Sequence, residues 1–386
     1  MKNNFALSFF YDRWILSIAL ILIFFGLLMV SSASMVISDQ IYHQPFHYLF
    51  RQFIFLISGF GIAWFVTRIP LSFWEENSFV LLLLCFFALL LVLVPGIGKV
   101  VNGSRRWIHV GFISLQVSEA VKLMSILYLA GFLQRHLREV QTELSGFVKP
   151  LLFFGLMGVL LLCEPDFGTT AVIAMTVLTM LFIAGSRLLP FVVILSLVLL
   201  TMVALVVTTP YRMVRLTSFL NPWMHAYGTG YQLTQSLIAF GRGGLFGVGL
   251  GNSVQKLFYL PEAHTDFIFA VIGEELGLAG ELLLIGLFVI LIVRIIYIGQ
   301  AALKRGLWFG GFAAWGIGLI IAFQAIINIG VNIGLLPTKG LTLPLISYGG
   351  SSLWVSCAAM GVILRIAYEI QTADISPPKK SLRMRP

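Results

Sequence analysis

The sequence predicts an all-α polytopic membrane protein of about ten transmembrane helices, with both termini inside and a large extracytoplasmic loop between helices seven and eight. Three observations predict it. Of 386 residues, 59% are hydrophobic and only 11% charged, against roughly 25% charged in soluble domains. The mean hydropathy is +0.97. Apolar runs recur along nearly the whole chain, most of them near the roughly 20 residues that carry a helix across a bilayer. A water-exposed globule of this composition would lack its ionic surface, so soluble enzymes and secreted domains are excluded. The net charge of +9, from 25 Lys and Arg against 16 Asp and Glu, would suggest nucleic acid in a soluble chain. Here it reads as topology, and no nucleic-acid partner is expected.

The runs lie at 14–36, 50–67, 77–95, 116–133, 150–164, 168–186, 188–208, 266–297, 308–335 and 353–370. The eighth is too long for one untilted span, so it is expected to tilt or to project beyond the hydrocarbon. Residues 1–371 form one expected transmembrane domain, and 372–386 a disordered, polar cytoplasmic tail. With the N-terminus inside, 15 of the 25 basic residues fall on the cytoplasmic side, nine fall outside and Lys122 lies within a span, which favours that orientation. Cys85, Cys163 and Cys357 sit in or beside apolar runs without a CxxC pair or a His at ligand spacing. They read as core residues, not as a disulfide framework or a zinc site.

Eight of the nine outward charges cluster in three loops, Arg51 being the exception. Loop 96–115 carries Asn102-Gly-Ser-Arg-Arg-Trp; loop 209–265 carries Arg212, Arg215, Arg242 and Lys256; loop 336–352 carries Lys339 and Ser347-Tyr-Gly-Gly-Ser-Ser. Residues 228–240 suit an amphipathic helix lying at the interface. The glycine-rich stretch from Gly241 permits close backbone approach and presents Arg242 to an anion, though its spacing matches no nucleotide-binding motif.

Ionisable groups within spans are costly and therefore functional candidates. Glu119 and Lys122, three apart, share a helix face; a structural ion pair and a pair open to a polar cavity are both consistent with that spacing. Asp166, in Glu164-Pro-Asp-Phe-Gly-Thr, is placed to cap the next helix. Glu262, His264 and Asp266 stand together where a helix enters the membrane from outside. A low dielectric there raises a carboxylate's pKa and improves it as a general base near neutral pH; the alternative is that Asp266 caps the helix it begins. Glu274, two turns along, is expected to line the same cavity.

Together these motifs resemble the SEDS (shape, elongation, division and sporulation) family of FtsW/RodA type. The resemblance rests on Asn102-Gly-Ser-Arg-Arg-Trp, Ser118-Glu with Lys122, Glu164-Pro-Asp-Phe-Gly-Thr, Gly230-Tyr-Gln-Leu-Thr-Gln-Ser, Leu260-Pro-Glu-Ala-His-Thr-Asp-Phe and Pro344-Leu-Ile-Ser-Tyr-Gly-Gly-Ser-Ser. Pro261-Glu-Ala-His-Thr-Asp with Gly273-Glu-Glu-Leu-Gly looks like the division branch. One departure is Gln116-Val-Ser-Glu, where the family commonly has Pro at the second position.

The resemblance implies a peptidoglycan glycosyltransferase that polymerises lipid II at the outer face of the cytoplasmic (inner) membrane, at the division septum. Its implied partners are lipid II, the growing lipid-linked glycan, a class B penicillin-binding transpeptidase and other division proteins. Asp266 is carried over as the catalytic residue, the general base. Lys122, Arg212, Arg215, Arg242 and Lys339 are candidate cations for the diphosphate or its cavity, with Glu119 paired to Lys122, and Ser351 and Ser352 offer hydroxyls at the start of the last helix. No acidic cluster marks a metal site, although diphosphate chemistry leaves a divalent ion, Mg or Mn, open. A lipid II flippase and a non-catalytic division scaffold are the rival readings.

Overall fold

The computed structural model describes residues 12–101, 104–110, 113–338 and 340–375. The expected Lys339 and most of the expected tail lie outside them. The fold is mostly helical: α1 Arg13–Tyr42, α2 His47–Arg68, a short α3 Leu71–Glu76, α4 Ser78–Leu93, α5 Val117–Thr142, α6 Leu144–Cys163, α7 Phe167–Ile183, α8 Leu188–Val207, α9 Pro210–Leu220, α10 Tyr231–Gly243, α11 Ile268–Lys304, α12 Trp308–Asn332 and α13 Gly350–Ile375. Among the described residues seven helices are long and apolar enough to cross a membrane: α1, α2, α5, α6, α11, α12 and α13. α4, α7 and the first part of α8 are shorter apolar helices. Large apolar side chains such as Trp64, Leu152, Leu189 and Leu200 are well exposed, as the hydrocarbon-facing surface of a bundle requires.

Three expectations need correction. The chain is not all-α: β1 Gly98–Val101, β2 Ser104–Val110 and β3 Ile113–Gln116 form an antiparallel sheet in the order β1-β2-β3, with Trp107 opposite Gln116. α13 runs on through Ile375, so the expected tail begins as helix at 372–375. Among the cysteines, Cys85 and Cys357 are buried, but Cys163, at the end of α6, is exposed.

The long eighth run resolves differently from a simple tilt. α11 breaks at Gly277, whose φ of 65° and ψ of −168° are open essentially to glycine alone. The turns before the break, Ile268 to Glu275, are buried. Backbone groups freed at a break inside a membrane must find partners within the protein, and the glycine-rich loop after α10 supplies them. Val248 N and Gly249 N donate to Glu274 O and Glu275 O, while Leu278 N and Ala279 N donate to Gly244 O and Leu245 O, at 3.0–3.1 Å. A Cβ at Gly277 would lie 2.3 Å from Gly247 N. The close backbone approach read from the glycines is thus an approach to α11.

Packing places α11 along α12, α13 along α2, and α5 between α4 and α12. α1 is fixed to α11 at two points. Asp12 caps α1 by accepting from Trp14 N and Ile15 N, and Arg294 donates to its Oδ2 through Nε and Nη2 at 2.9 and 2.6 Å. Farther along, Ser32 Oγ donates to Glu275 Oε1 at 2.7 Å, and Lys256 Nζ reaches the same carboxylate at 2.7 Å and Ser32 Oγ at 2.9 Å. All three side chains are buried. Breaking such a pair from one side strands the other charge, at a cost of about 3–5 kcal/mol. Glu275→Ala should therefore lower the melting temperature in detergent far more than Ser32→Ala, which removes hydrogen bonds worth about 1 kcal/mol each; equal shifts would show that the buried charge pair is not what holds this joint.

Candidate active site

The segment 260–267 leads into α11, and its backbone is fixed before any side-chain chemistry. Asp266 O accepts from Asn328 Nδ2 at 2.9 Å and from Asn332 Nδ2 at 3.0 Å. Asn328 Nδ2 also donates to Leu341 O at 2.7 Å, and Asn332 Oδ1 accepts from Ala270 N at 3.1 Å. One turn earlier on α12, Gln324 Nε2 donates to Thr342 O while its Oε1 accepts from Lys122 Nζ, both at 2.9 Å. Gln324, Asn328 and Asn332 recur every four residues, so they share one face of α12. The loop after α12 adds two more ties: Ser347 Oγ donates to Thr265 O at 2.6 Å and Tyr348 N to His264 O at 2.9 Å.

The Asp266 carboxylate is partly exposed, and among the described residues no hydrogen bond reaches it. A Cβ at Gly340 would lie 3.2 Å from its Oδ2, so a glycine keeps this flank open. Burial pushes its pKa from the ordinary 3.8 up to about 7; the nearby Glu262 carboxylate adds to the rise and the Arg106 guanidinium opposes it. Glu262 is exposed and accepts from Thr265 Oγ1 at 2.7 Å. His264 is buried between the rings of Tyr48, 4.7 Å away, and Tyr348, 5.5 Å away. That burial lowers its pKa against the pull of Glu262, which makes it a neutral aromatic strut.

Arg106, on β2, joins this region to the start of α7. It donates to Pro165 O at 2.6 Å, Glu164 O at 3.3 Å and Ser104 Oγ at 3.1 Å, and lies 3.6 Å from Asp166 Oδ1. Asp166 caps α7 as its position suggests, accepting from Thr169 N at 3.1 Å and Thr169 Oγ1 at 3.0 Å. Glu164 is buried, and among the described residues neither of its carboxyl oxygens has a hydrogen-bond partner. Burial pushes its pKa up to about 8, helped by Asp166 and opposed by Arg106, so it is mostly a neutral acid at pH 7. Gly168 packs on Leu341, where a Cβ would lie 3.0 Å from Leu341 Cγ, which brings the start of α7 against the chain beside Asp266.

Other expected residues fall elsewhere or are already engaged. Lys122 is 2% exposed and bonded to Glu119 Oε1 at 2.9 Å as well as to Gln324. The cavity beside this pair is about 30 Å³, on the scale of one or two waters and too small for a diphosphate. Arg242 lies 3.5 Å from Glu274 Oε1, so the anion it faces is that carboxylate. Glu274 is fully buried and also accepts from Ser253 Oγ, Val254 N and Gln255 N; it anchors the glycine-rich loop instead of lining a cavity with Asp266. Ser351 Oγ accepts from Gln116 N at 2.9 Å and donates to Ser114 O at 3.2 Å, and Ser352 pairs with Thr342. Both hydroxyls therefore pin β3 and the 342 loop to α13. α10 is not a free interfacial helix: Leu233, Ser236 and Ala239 are buried, with Ser236 Oγ donating to Asn332 O at 2.7 Å. Arg212 and Arg215 fall on α9 with side chains outside the described set. Among the described residues no three His, Cys, Asp or Glu side chains converge on a metal position.

The polar face of α12 and Arg106 are what the sequence reading missed. The four-residue spacing of Gln324, Asn328 and Asn332 in an apolar run was the available signal for the first. The alternation of Arg106, Ile108 and Val110 with Arg105, Trp107 and His109 was a weak signal for the strand that carries Arg106.

A bundle in which seven described helices are long and apolar enough to cross a membrane, with a partly buried carboxyl at the entrance to α11, defines a polytopic membrane protein. The model of the FtsW/RodA/SpoVE family of cell cycle proteins matches residues 12–372, and the chain belongs to that family. A protein of Coxiella burnetii, named a probable peptidoglycan glycosyltransferase FtsW, is 61% identical over 96% of this chain and all of its own length. A protein of the same name from Legionella pneumophila is 52% identical over 93% of this chain and 91% of its own. A chain in a solved structure of a peptidoglycan synthase complex, described as coordinating polymerization and crosslinking, superimposes with a TM-score of 0.76 at 26% identity, covering 93% of this chain and 98% of that one. The rod shape determining protein RodA of Thermus thermophilus gives 0.69 at 26% identity, covering 94% and 97%.

The raised pKa of Asp266 also bears on stability. The folded state holds that proton more tightly than the unfolded chain, so stability declines as pH rises from the ordinary carboxylate range through about 7. Asp266→Asn has no proton to lose. Its melting temperature should exceed that of the wild type at pH 8, with the gap narrowing at pH 5; a gap independent of pH would place the Asp266 carboxyl in ordinary solvent.

Proposed function

We propose that the chain is a peptidoglycan glycosyltransferase that polymerises lipid II at the outer face of the cytoplasmic membrane during division. Asp266 is its general base. The names of the close relatives support the activity, and the observation that carries the chemistry is Asp266 itself. Its backbone carbonyl is immobilised by two amides, its carboxyl takes no hydrogen bond among the described residues, and its pKa lies near 7, where a base is half in its active form at neutral pH and still holds a proton well. In the reaction, the attacking sugar 4-hydroxyl gives its proton to the Asp266 carboxylate as its oxygen bonds to the anomeric carbon of the donor. The bond from that carbon to the prenyl diphosphate breaks, and the diphosphate leaves with the electron pair. A single displacement of this kind inverts the anomeric centre. Arg106 supplies positive charge close enough to act on Asp266. An ion carried on the diphosphate oxygens would need only one or two carboxylates from the protein.

In this reading the seven long helices and the three shorter ones make ten crossings of a single domain, both ends are cytoplasmic, and loop 209–265 faces outward, at the inner membrane of the septum. A class B penicillin-binding transpeptidase is the crosslinking partner; the likeness to a chain of a synthase complex that couples polymerization to crosslinking supports it. A flippase is the second reading. The buried Glu119–Lys122 pair is the charge inside a span that such a path would use, but it is closed onto Gln324 and the roughly 30 Å³ beside it admits no diphosphate, which ranks this reading second.

Purified protein with radiolabelled lipid II separates these readings. Wild type should yield glycan polymer and Asp266→Asn none, with expression and partner binding intact. Translocation without polymer would favour the flippase, and normal division by the Asp266→Asn strain would favour a scaffold. The pH profile of kcat/KM should rise through about 7 and then level; a flat profile from pH 6 to 8 would remove Asp266 as the titrating base.

A further inference from the structure

A cluster of aromatic side chains stands where α1 ends, α2 begins and the loop after α12 passes the segment before α11. Tyr42, the last residue of α1, stacks on His47 with ring centroids 3.9 Å apart and planes 15° from parallel. Tyr48 meets Tyr42, Tyr348 and His264 at 5.7, 5.1 and 4.7 Å. Polar side chains hold these rings in place. Ser38 Oγ donates to Gln44 O at 2.6 Å and accepts from His47 N at 3.1 Å, which fixes the turn between α1 and α2. Gln52, one turn along α2 from Tyr48, donates to Ser347 O and accepts from Gly349 N, both at 3.4 Å. Tyr348 N in turn donates to His264 O at 2.9 Å. The cluster is therefore built without any ligand.

Packing alone leaves it incomplete. Tyr42 is 40% exposed. His264 is only 8% exposed, yet its Nδ1, like Nε2 of His47, is buried without a hydrogen-bond partner among the described residues. Buried polar atoms are normally partnered, so the cluster is short of hydrogen-bonding groups. The exposed Glu262 carboxylate acts electrostatically on Tyr48, His264 and Asp266 alike. One of its oxygens accepts from Thr265 Oγ1, and the other takes no hydrogen bond among the described residues. An apolar ligand would leave these atoms unsatisfied, and an anion would be repelled by Glu262. A pyranose answers both demands. Its C–H groups suit the negative faces of aromatic rings, and each of its hydroxyls both donates and accepts. The place fits as well: His264 is two residues from Asp266, at most about 7 Å along the chain, so a sugar seated here lies beside the reacting one.

We propose, resting on the polymerase reading, that Tyr42, Tyr48 and Tyr348 form a saccharide subsite that stacks a sugar ring of the lipid-linked substrate beside Asp266. The competing role is an aromatic anchor at the membrane interface. Tyr42 is the ring to change, because its exposure spares the fold. The probe is the disaccharide of lipid II freed of peptide, diphosphate and lipid. Saturation-transfer NMR with the wild type in detergent should show the C–H protons of one sugar face in contact with protein. Tyr42→Leu should lose those signals, and Tyr42→Phe, which keeps the ring, should restore them. With intact lipid II, Tyr42→Leu should raise KM about tenfold, equivalent to about 1.4 kcal/mol, at unchanged kcat. An absence of disaccharide contacts in the wild type, contacts that survive in Tyr42→Leu, or a Tyr42→Leu protein altered only in its insertion into vesicles would overturn the proposal. If the wild type made no polymer the polymerase reading would fall, while the disaccharide signals would still decide whether these rings hold a sugar.

Discussion

The carbonyl oxygen of Asp266 accepts two amide hydrogen bonds from α12, and the rest of the site follows from that. In a bilayer a backbone carbonyl has no water to turn to, so each one outside regular structure needs a partner from the protein. α12 provides these on one face: Asn332 and Asn328 hold the loop before α11, Asn328 and Gln324 hold the loop after α12, and Gln324 continues to Lys122 on α5. The same three amides therefore set the height and direction of a carboxyl to which they donate nothing. Position is fixed through the main chain, and the side chain takes no hydrogen bond among the described residues.

That freedom carries an energetic cost. A carboxyl with a pKa near 7 is one whose ionised form the fold does not stabilise. Elsewhere the protein neutralises buried acids directly: Glu275 with Lys256, Glu119 with Lys122, Asp12 with Arg294, Glu274 with Arg242 and three further donors. Asp266 is treated differently, with only the more distant field of Arg106 to offset burial and the repulsion of Glu262. Glu164 is the other exception, and there the result is a neutral acid. The contrast separates the acids that the fold neutralises directly from the two, Asp266 and Glu164, whose pKa it raises.

The long apolar helices were legible because hydrophobic run length is a direct record of bilayer thickness. The helix cap at Asp166 and the pair of Glu119 with Lys122 were legible because both are local in sequence. What escaped was long-range or compensatory. Nothing in the neighbourhood of Ser32 announces a partner 243 residues away. The glycines after Arg242 looked like a ligand cradle because a backbone approached by a ligand and one approached by a broken helix ask for the same residue. Arg242 itself met an anion as expected, but the anion was Glu274. The sheet escaped because three short strands in a charged loop give little periodicity to count.

The two joints between α1 and α11 have a mechanical meaning. Asp12 and Ser32 are 20 residues apart on one helix, or about 30 Å at 1.5 Å per residue. A single joint would be a pivot about which the helices could swing; two at that separation form a brace that resists rotation and sliding alike. The brace spans the Gly277 break, so the discontinuity in the longest helix is splinted by its neighbour, and a push on the loop that carries Lys256 reaches the far end of α11 as load on a truss, not as bending of a rod.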